Sequence, residues 1–116
     1  MKIRKALQMM KSLSDDTRLR IINLLKEEEL SVTEICDILD VQQSNLSKHL
    51  SRLRLTGLVD DKREGFNVYY SLVKPKDKVL KKLLNVLTVG LAENEILQTD
   101  QEKMKEILAK TRIEEQ

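Results

Sequence analysis

Apolar side chains return every three or four residues along most of this chain, and the interruptions mark where elements begin and end. Ile3, Ala6, Leu7 and Met10 recur at i, i+3, i+4 and i+7, the stripe of a first helix. Ser14 or Asp15 can cap a second helix, which turns Leu19, Ile22 and Leu25 inward and ends at Lys26. Ser31-Val32-Thr33-Glu34 has the form of a capping box, serine at the cap and glutamate three residues on. The short helix it opens carries Val32, Ile35, Ile38 and Leu39 as its apolar positions. Asp40-Val41-Gln42 is a tight connection to a fourth helix, from about Gln43 to Thr56, that stops at Gly57.

Past Gly57 the helical period gives way to a hairpin pattern. Leu58 to Lys62 and Phe66 to Leu72, rich in Val, Tyr and Phe, read as two strands joined through Arg63-Glu64-Gly65, where Gly65 supplies a positive φ. Pro75 ends the hairpin and suits the first turn of the next helix. That helix places Leu80, Leu83, Leu84, Leu87 and Leu91 on one face, with Val79 and Val86 beside them. Its apolar arc spans about 160°, wider than the ~100° that a surface helix needs against its own core, so the surplus predicts a partner chain. Thr99-Asp100-Gln101-Glu102 reads as another capping box, opening a final polar helix to about Lys110. Two short helices with a tight link, then a hairpin, make a winged helix-turn-helix. The expected fold class is mainly α with a small β-hairpin and dimer-forming flanking helices. Residues 1–92 form the DNA-binding and dimerisation unit and residues 93–116 a helical extension.

Composition narrows the function. The 116 residues are 41% hydrophobic, 34% charged and only 3% aromatic, with one Pro and three Gly, so the chain is one helix-rich domain with a Leu, Ile and Val core. No run approaches 18 uncharged apolar residues, which excludes a helical membrane span. The amino-terminal residues 1–5 lead into no signal-peptide core, and the single Cys builds no disulfide framework, so a reducing cytoplasm is the expected compartment. One Cys and one His do not supply the usual ligands of a structural zinc site, and no cofactor is expected. With neither a Ser-His-Asp set nor a phosphate-cradling glycine loop, the chain does not read as an enzyme.

The net charge of +2 says little until it is divided along the chain. Residues 12–40 are acidic, whereas the 19 residues from Val41 to Val59 hold no acid at all and include Lys48, Arg52 and Arg54. A polyanion meets that stretch without repulsion. On a helical wheel Leu46, Leu50 and Leu53 fall together and face the core, while Ser44, Ser47, Lys48 and Ser51 fall opposite, with Gln42 and Gln43 at the amino-terminal end. Such an outer face suits a DNA major groove. Serine admits close backbone approach, Gln and Asn bond adenine edges, and Lys reaches guanine or phosphate. An ordinary solvated helix face has a similar composition; the adjoining capped helix and hairpin favour DNA. Lys62 and Arg63 at the hairpin tip would meet phosphates or the minor groove, against the acid Glu64.

At this point the residues resemble a family. The run from Leu13 to Ile22 with Asp15-Asp16-Thr17-Arg18, then Gln43-Ser44-Asn45-Leu46-Ser47-Lys48-His49-Leu50, then Leu53-Arg54 with Thr56-Gly57-Leu58-Val59, then Tyr69-Tyr70-Ser71-Leu72, resembles the ArsR/SmtB repressors of bacteria over about residues 5–90. The resemblance implies a homodimer that occupies double-stranded operator DNA and leaves when a signal arrives. It implies DNA reading through Gln43, Ser44, Ser47 and Lys48, with Asn45 at a phosphate or base, and makes Ser31 and Thr33 phosphate contacts. Subunit pairing would run through the first helix and the helix after the wing, at Leu7, Met10, Leu80, Leu83, Leu84, Leu87 and Leu91.

The family's sensing sites do not carry over. Where many members hold soft metals through Cys-x-Cys-x-x-Cys, this chain has Ser31, Thr33 and Cys36, and a lone thiolate does not hold arsenite or cadmium. No His follows His49, so the late-helix zinc or nickel ligands are missing too. Cys36 is open to three readings, a small buried hydrophobe, a reactive thiol that oxidises or pairs with another subunit, or a metal ligand, of which the first is the simplest. His49 reads as structural or phosphate-adjacent, and Arg18 and Arg20 as ion-pairing partners of Asp15 and Asp16. The rival readings are a redox-responsive regulator acting through Cys36, a regulator sensing a small organic molecule, and a winged-helix module that binds protein and not DNA. The inducer stays unassigned.

Overall fold

A computed structural model of the chain describes residues 2–74 and 78–114, with the side chains of 113 and 114 left aside; the expected role of Pro75 falls outside the described residues. The order is α1 (Ile3–Leu13), α2 (Asp16–Leu25), β1 (Leu30–Ser31), α3 (Val32–Leu39), α4 (Gln43–Leu55), β2 (Val59–Glu64), β3 (Asn67–Leu72), α5 (Lys78–Gly90) and α6 (Glu95–Glu114). The strands form one antiparallel sheet in the order β1-β3-β2. Val59 pairs with Leu72 and Glu64 with Asn67, leaving Gly65 and Phe66 to turn the hairpin. Gly65 there has φ +61°, a region that side chains avoid.

The local chemistry explains where helices begin and stop. Asp15 caps α2, its carboxylate accepting the Arg18 N–H at 3.0 Å. Ser31 and Glu34 form the expected box: the Ser31 N–H donates to Glu34 Oε1 at 2.8 Å and the Glu34 N–H donates to Ser31 Oγ at 3.1 Å. Asp40 ends α3 in the left-handed region at φ 53°, a conformation that Asp tolerates better than most residues. At the end of α4, Gly57 has φ +78°, the Leu58 N–H reaches Leu53 O at 2.9 Å and the Gly57 N–H reaches Arg54 O at 3.0 Å, a Schellman closure. That closure turns the chain directly into β2.

The core is aliphatic, as the composition requires. Ile21 and Leu24 of α2, Ile35 and Ile38 of α3, and Leu46, Leu50 and Leu53 of α4 are fully buried, with Leu30 and Leu58 at the sheet side. α6 lies over α2 and α3 and adds Met104 to the same core.

Three expectations need correction. α6 opens at Glu95, capped by Asn94, whose Oδ1 accepts the Leu97 N–H at 3.2 Å; the 99–102 box lies inside the helix. Asp100 is buried there because it serves Arg20, with Nε and one terminal nitrogen of the guanidinium donating to its two oxygens at 2.8 and 2.9 Å. Arg20 therefore hydrogen-bonds across the fold to Asp100, and Asp16 on its own helix adds only a lesser charge attraction. On α5, Leu80 and Leu84 are buried in the chain's own core, and Leu83 and Leu87 pack against it. The surplus apolar surface is instead Val79, Val86 and Val89, each about two-thirds exposed. These fall off the leucine seam, on the side of α5 turned away from the core.

Candidate nucleic-acid interface

α4 is held by three leucines and presents a polar outer face. Leu46, Leu50 and Leu53 are buried, whereas Gln43, Ser44, Asn45, Ser47, Lys48 and Ser51 are all exposed. Its first turn carries no acid and its last turn carries Arg52 and Arg54. Gln42 at the cap makes no side-chain bond to the helix end. The outer side of α4 is therefore a row of small and cationic groups open to solvent, next to uncapped backbone N–H groups.

A small polar cluster fixes the tilt of α4. The Arg18 guanidinium of α2 donates to the carbonyls of Ser12 and Lys11 at the end of α1, and to His49 Nδ1 of α4 at 3.1 Å. Arginine only donates, so Nδ1 accepts and the ring hydrogen sits on Nε2. Asp15 Oδ2 lies further from the same nitrogen, at 3.7 Å. The Asp15 carboxyl feels burial, which raises its pKa, but the Arg18 backbone N–H and the Arg18 charge outweigh this and hold it below the usual carboxylate range. The sequence marks His49 and Arg18 as structural groups; that they meet each other, across 31 positions, is visible only in the fold.

The expected flanking contacts fare unequally. Thr33 is exposed at the first turn of α3. Ser31 is not a surface phosphate contact: it is buried, its hydroxyl caps α3, and its backbone belongs to β1 opposite Tyr69. In the wing, Lys62 Nζ sits 3.1 Å from both Glu29 and Glu64, whose carboxylates hold its pKa above the ordinary value. It remains a cation, but one already countered by two acids. Arg54 is likewise engaged by Asp61 at 3.1 Å. Arg63 is exposed and enters no ion pair among the described residues, and Phe66 at the turn is fully exposed. The sequence pattern puts Phe66 on the second strand, but it lies in the turn beside Gly65, one residue before β3.

Cys36 is half-buried against the core, and its thiol is pushed up by burial and then by the Asp37 charge. That environment disfavours the thiolate. Among the described residues no three His, Cys, Asp or Glu side chains converge as a metal set.

Comparison with known proteins agrees with this arrangement. The profile of the bacterial regulatory protein family described as arsR matches residues 15–61, the stretch from the α2 cap to the first half of the wing. The transcriptional activator HlyU of Vibrio cholerae is 39% identical over 83 residues, covering 72% of this chain and 77% of its own. The chain belongs to the ArsR family. A solved structure of that HlyU superposes on this ArsR-family chain with a TM-score of 0.65, at 36% identity, over 77% of this chain and 99% of the other. The transcriptional repressor PagR of Bacillus anthracis is 38% identical, covering 67% of this chain and 79% of its own. A homodimeric winged helix-turn-helix DNA-binding domain from Mycobacterium bovis, 26% identical, superposes with a TM-score of 0.66 over 78% of this chain and 82% of that one. Like its relatives, this ArsR-family protein is a DNA-binding transcriptional regulator with a winged helix-turn-helix fold.

Proposed function

We propose that the chain acts as a homodimeric repressor that seats α4 of each subunit in successive major grooves of a palindromic operator. The observation that carries this reading is the acid-free, fully solvent-facing row Gln43, Ser44, Asn45, Ser47 and Lys48, presented by a helix whose other side is locked into the core. Thr33 would contact the phosphate backbone ahead of it. At the wing, Arg63 is the stronger contact, since Lys62 is countered by two acids. Half-sites should lie about 34–36 Å apart, and specific affinity should fall at about 10⁻⁸–10⁻¹¹ M. The homodimeric Mycobacterium bovis relative supports the two-fold reading, as does the apolar surface left open on α1 and α5.

The decisive variant is Ser47→Glu. It places an anion on the exposed face of α4 without touching the core, so oligomeric state and melting temperature should be kept while retardation of the gene's own promoter fragment is lost. Normal retardation by this variant would show that α4 does not enter the groove. The half-buried Cys36 thiol, its pKa raised by burial, weighs against a redox reading.

A further inference from the structure

A cleft of about 600 Å³ opens between α2, β3 and α5, away from the outer face of α4. Its floor is apolar: Ile22 from α2, Leu72 from the wing strand and Leu84 from α5. Its rim is Lys26, Lys78, Lys81 and Lys82, and no acid is among the described residues that line it. None of the four lysines enters an ion pair among the described residues. A larger cleft, of about 800 Å³ between α2 and α6, shares Lys26 but is also lined by Glu27, Glu28 and Glu102, so it offers no field of one sign.

We infer that the α2–β3–α5 cleft is a binding site for a small amphipathic anion, an aliphatic carboxylate whose chain lies on the leucine and isoleucine floor and whose head meets the lysine rim. The volume lies within the range of about 300–1,000 Å³ typical of ligand sites. Charge complementarity selects the occupant. Four cations with no ion-pair partner among the described residues, around a patch of hydrocarbon, repel an amphipathic cation, and a neutral alcohol leaves them unused. On the helical wheel of α5 Lys81 lies beside Leu84, and Lys78 and Lys82 fall further round, towards Val89 and Val86, so the lysine rim adjoins the open valine surface. A molecule in the cleft touches the wing through Leu72 and α5 through Leu84 at once.

The test uses the full chain and calorimetric titration with octanoate, octanol, octylamine and acetate, below micellar concentrations. Octanoate should bind one site per chain, with octanol and octylamine about tenfold weaker or worse and acetate not binding. Octanoate should shift the methyl resonances of Ile22, Leu72 and Leu84. The exposed double variant Lys81→Glu/Lys82→Glu, and independently Lys26→Glu, should weaken octanoate about tenfold with an unchanged melting temperature. Octanol binding as tightly as octanoate, unchanged octanoate affinity in these variants, resonance shifts confined to another surface, or no binding at millimolar octanoate would each overturn the inference. The readout uses no DNA, so it stands or falls separately from the operator reading.

Discussion

Arg18 does more for this molecule than its place in an acidic stretch implies. Its guanidinium donates to the Ser12 and Lys11 carbonyls at the end of α1 and reaches His49 in the DNA-facing helix, so three helices share one side chain. Arg18→Ala leaves the part-buried Ser12 carbonyl and His49 Nδ1 without this donor and should cost about 1–3 kcal/mol, seen as a lower urea midpoint at unchanged m-value. Arg18→Lys should recover little, because a point charge does not bond three acceptors in one plane. Asp15, beside it, gives the cluster a pH dependence. Its folded pKa is depressed, so its ionised form stabilises the fold at neutral pH, and that contribution is lost as pH falls through the folded value. Asp15→Asn keeps a capping oxygen but not the charge. It should cost about 0.3–1 kcal/mol at pH 7, and the gap from the parent protein should close below about pH 4. A gap independent of pH in denaturation curves would mean that the charge is idle.

At the scale of elements, the legible parts are those whose cause is local. The α3 capping box, the Gly57 stop and the leucine side of α4 depend on neighbours within a few residues, and each stands where the sequence places it. The hairpin instead turns at Gly65-Phe66 and not at Arg63-Glu64-Gly65, because Arg63 pairs with Val68 and Glu64 with Asn67. The two-residue strand β1 escaped because its residues double as the approach to a helix cap and pair only with Tyr69 and Tyr70, some forty positions on. The start of α6 was misread for a related reason. Thr99 to Glu102 has the spacing of a box, but Asn94 caps five residues earlier and Asp100 is spent on Arg20, 80 positions away. The wing misled by charge alone, since Lys62 looks free in the sequence and is held by Glu29 from the loop before β1. The α2–α6 joint also includes the Asn23 side chain on Leu97 O at 3.3 Å and the Gln101 side chain on Asn23 O at 2.7 Å. Arg20→Met strands the Asp100 carboxylate, which is almost wholly enclosed, and should cost about 2–3 kcal/mol. Asp100→Asn in the same background should recover much of that loss, because a buried amide without a counter-charge is cheaper than a buried anion. A lack of recovery in thermal melts would place the cost in lost packing of the arginine stem.

For the whole molecule, the question is what covers the apolar surface that one chain leaves open. α1 has two faces: Met9, Ser12 and Leu13 are buried against the rest of the chain, while Ile3, Leu7 and Met10 stand on the outside, more than half exposed. α5 repeats the division, with its leucine seam inward and Val86 and Val89 outward. Two helices bearing such double faces are economically explained by a second copy of the chain, whose pairing would also fix the separation of the two α4 helices on DNA. The outer residues, not the leucines, are therefore the ones to change. Leu7→Glu or Val86→Glu puts a charge on that surface without opening a cavity, so each chain should keep its helical content while light scattering reports a monomer. Operator affinity should then drop by orders of magnitude, because a single α4 reads one half-site and loses the gain from joining two. Leu84→Ala should behave in the opposite sense, lowering the melting temperature through a core cavity worth about 2–5 kcal/mol while the dimer persists in the folded fraction. A dimer insensitive to Leu7→Glu and Val86→Glu would mean that the subunits pair elsewhere, and the spacing expected of the operator would have to be derived from that other surface.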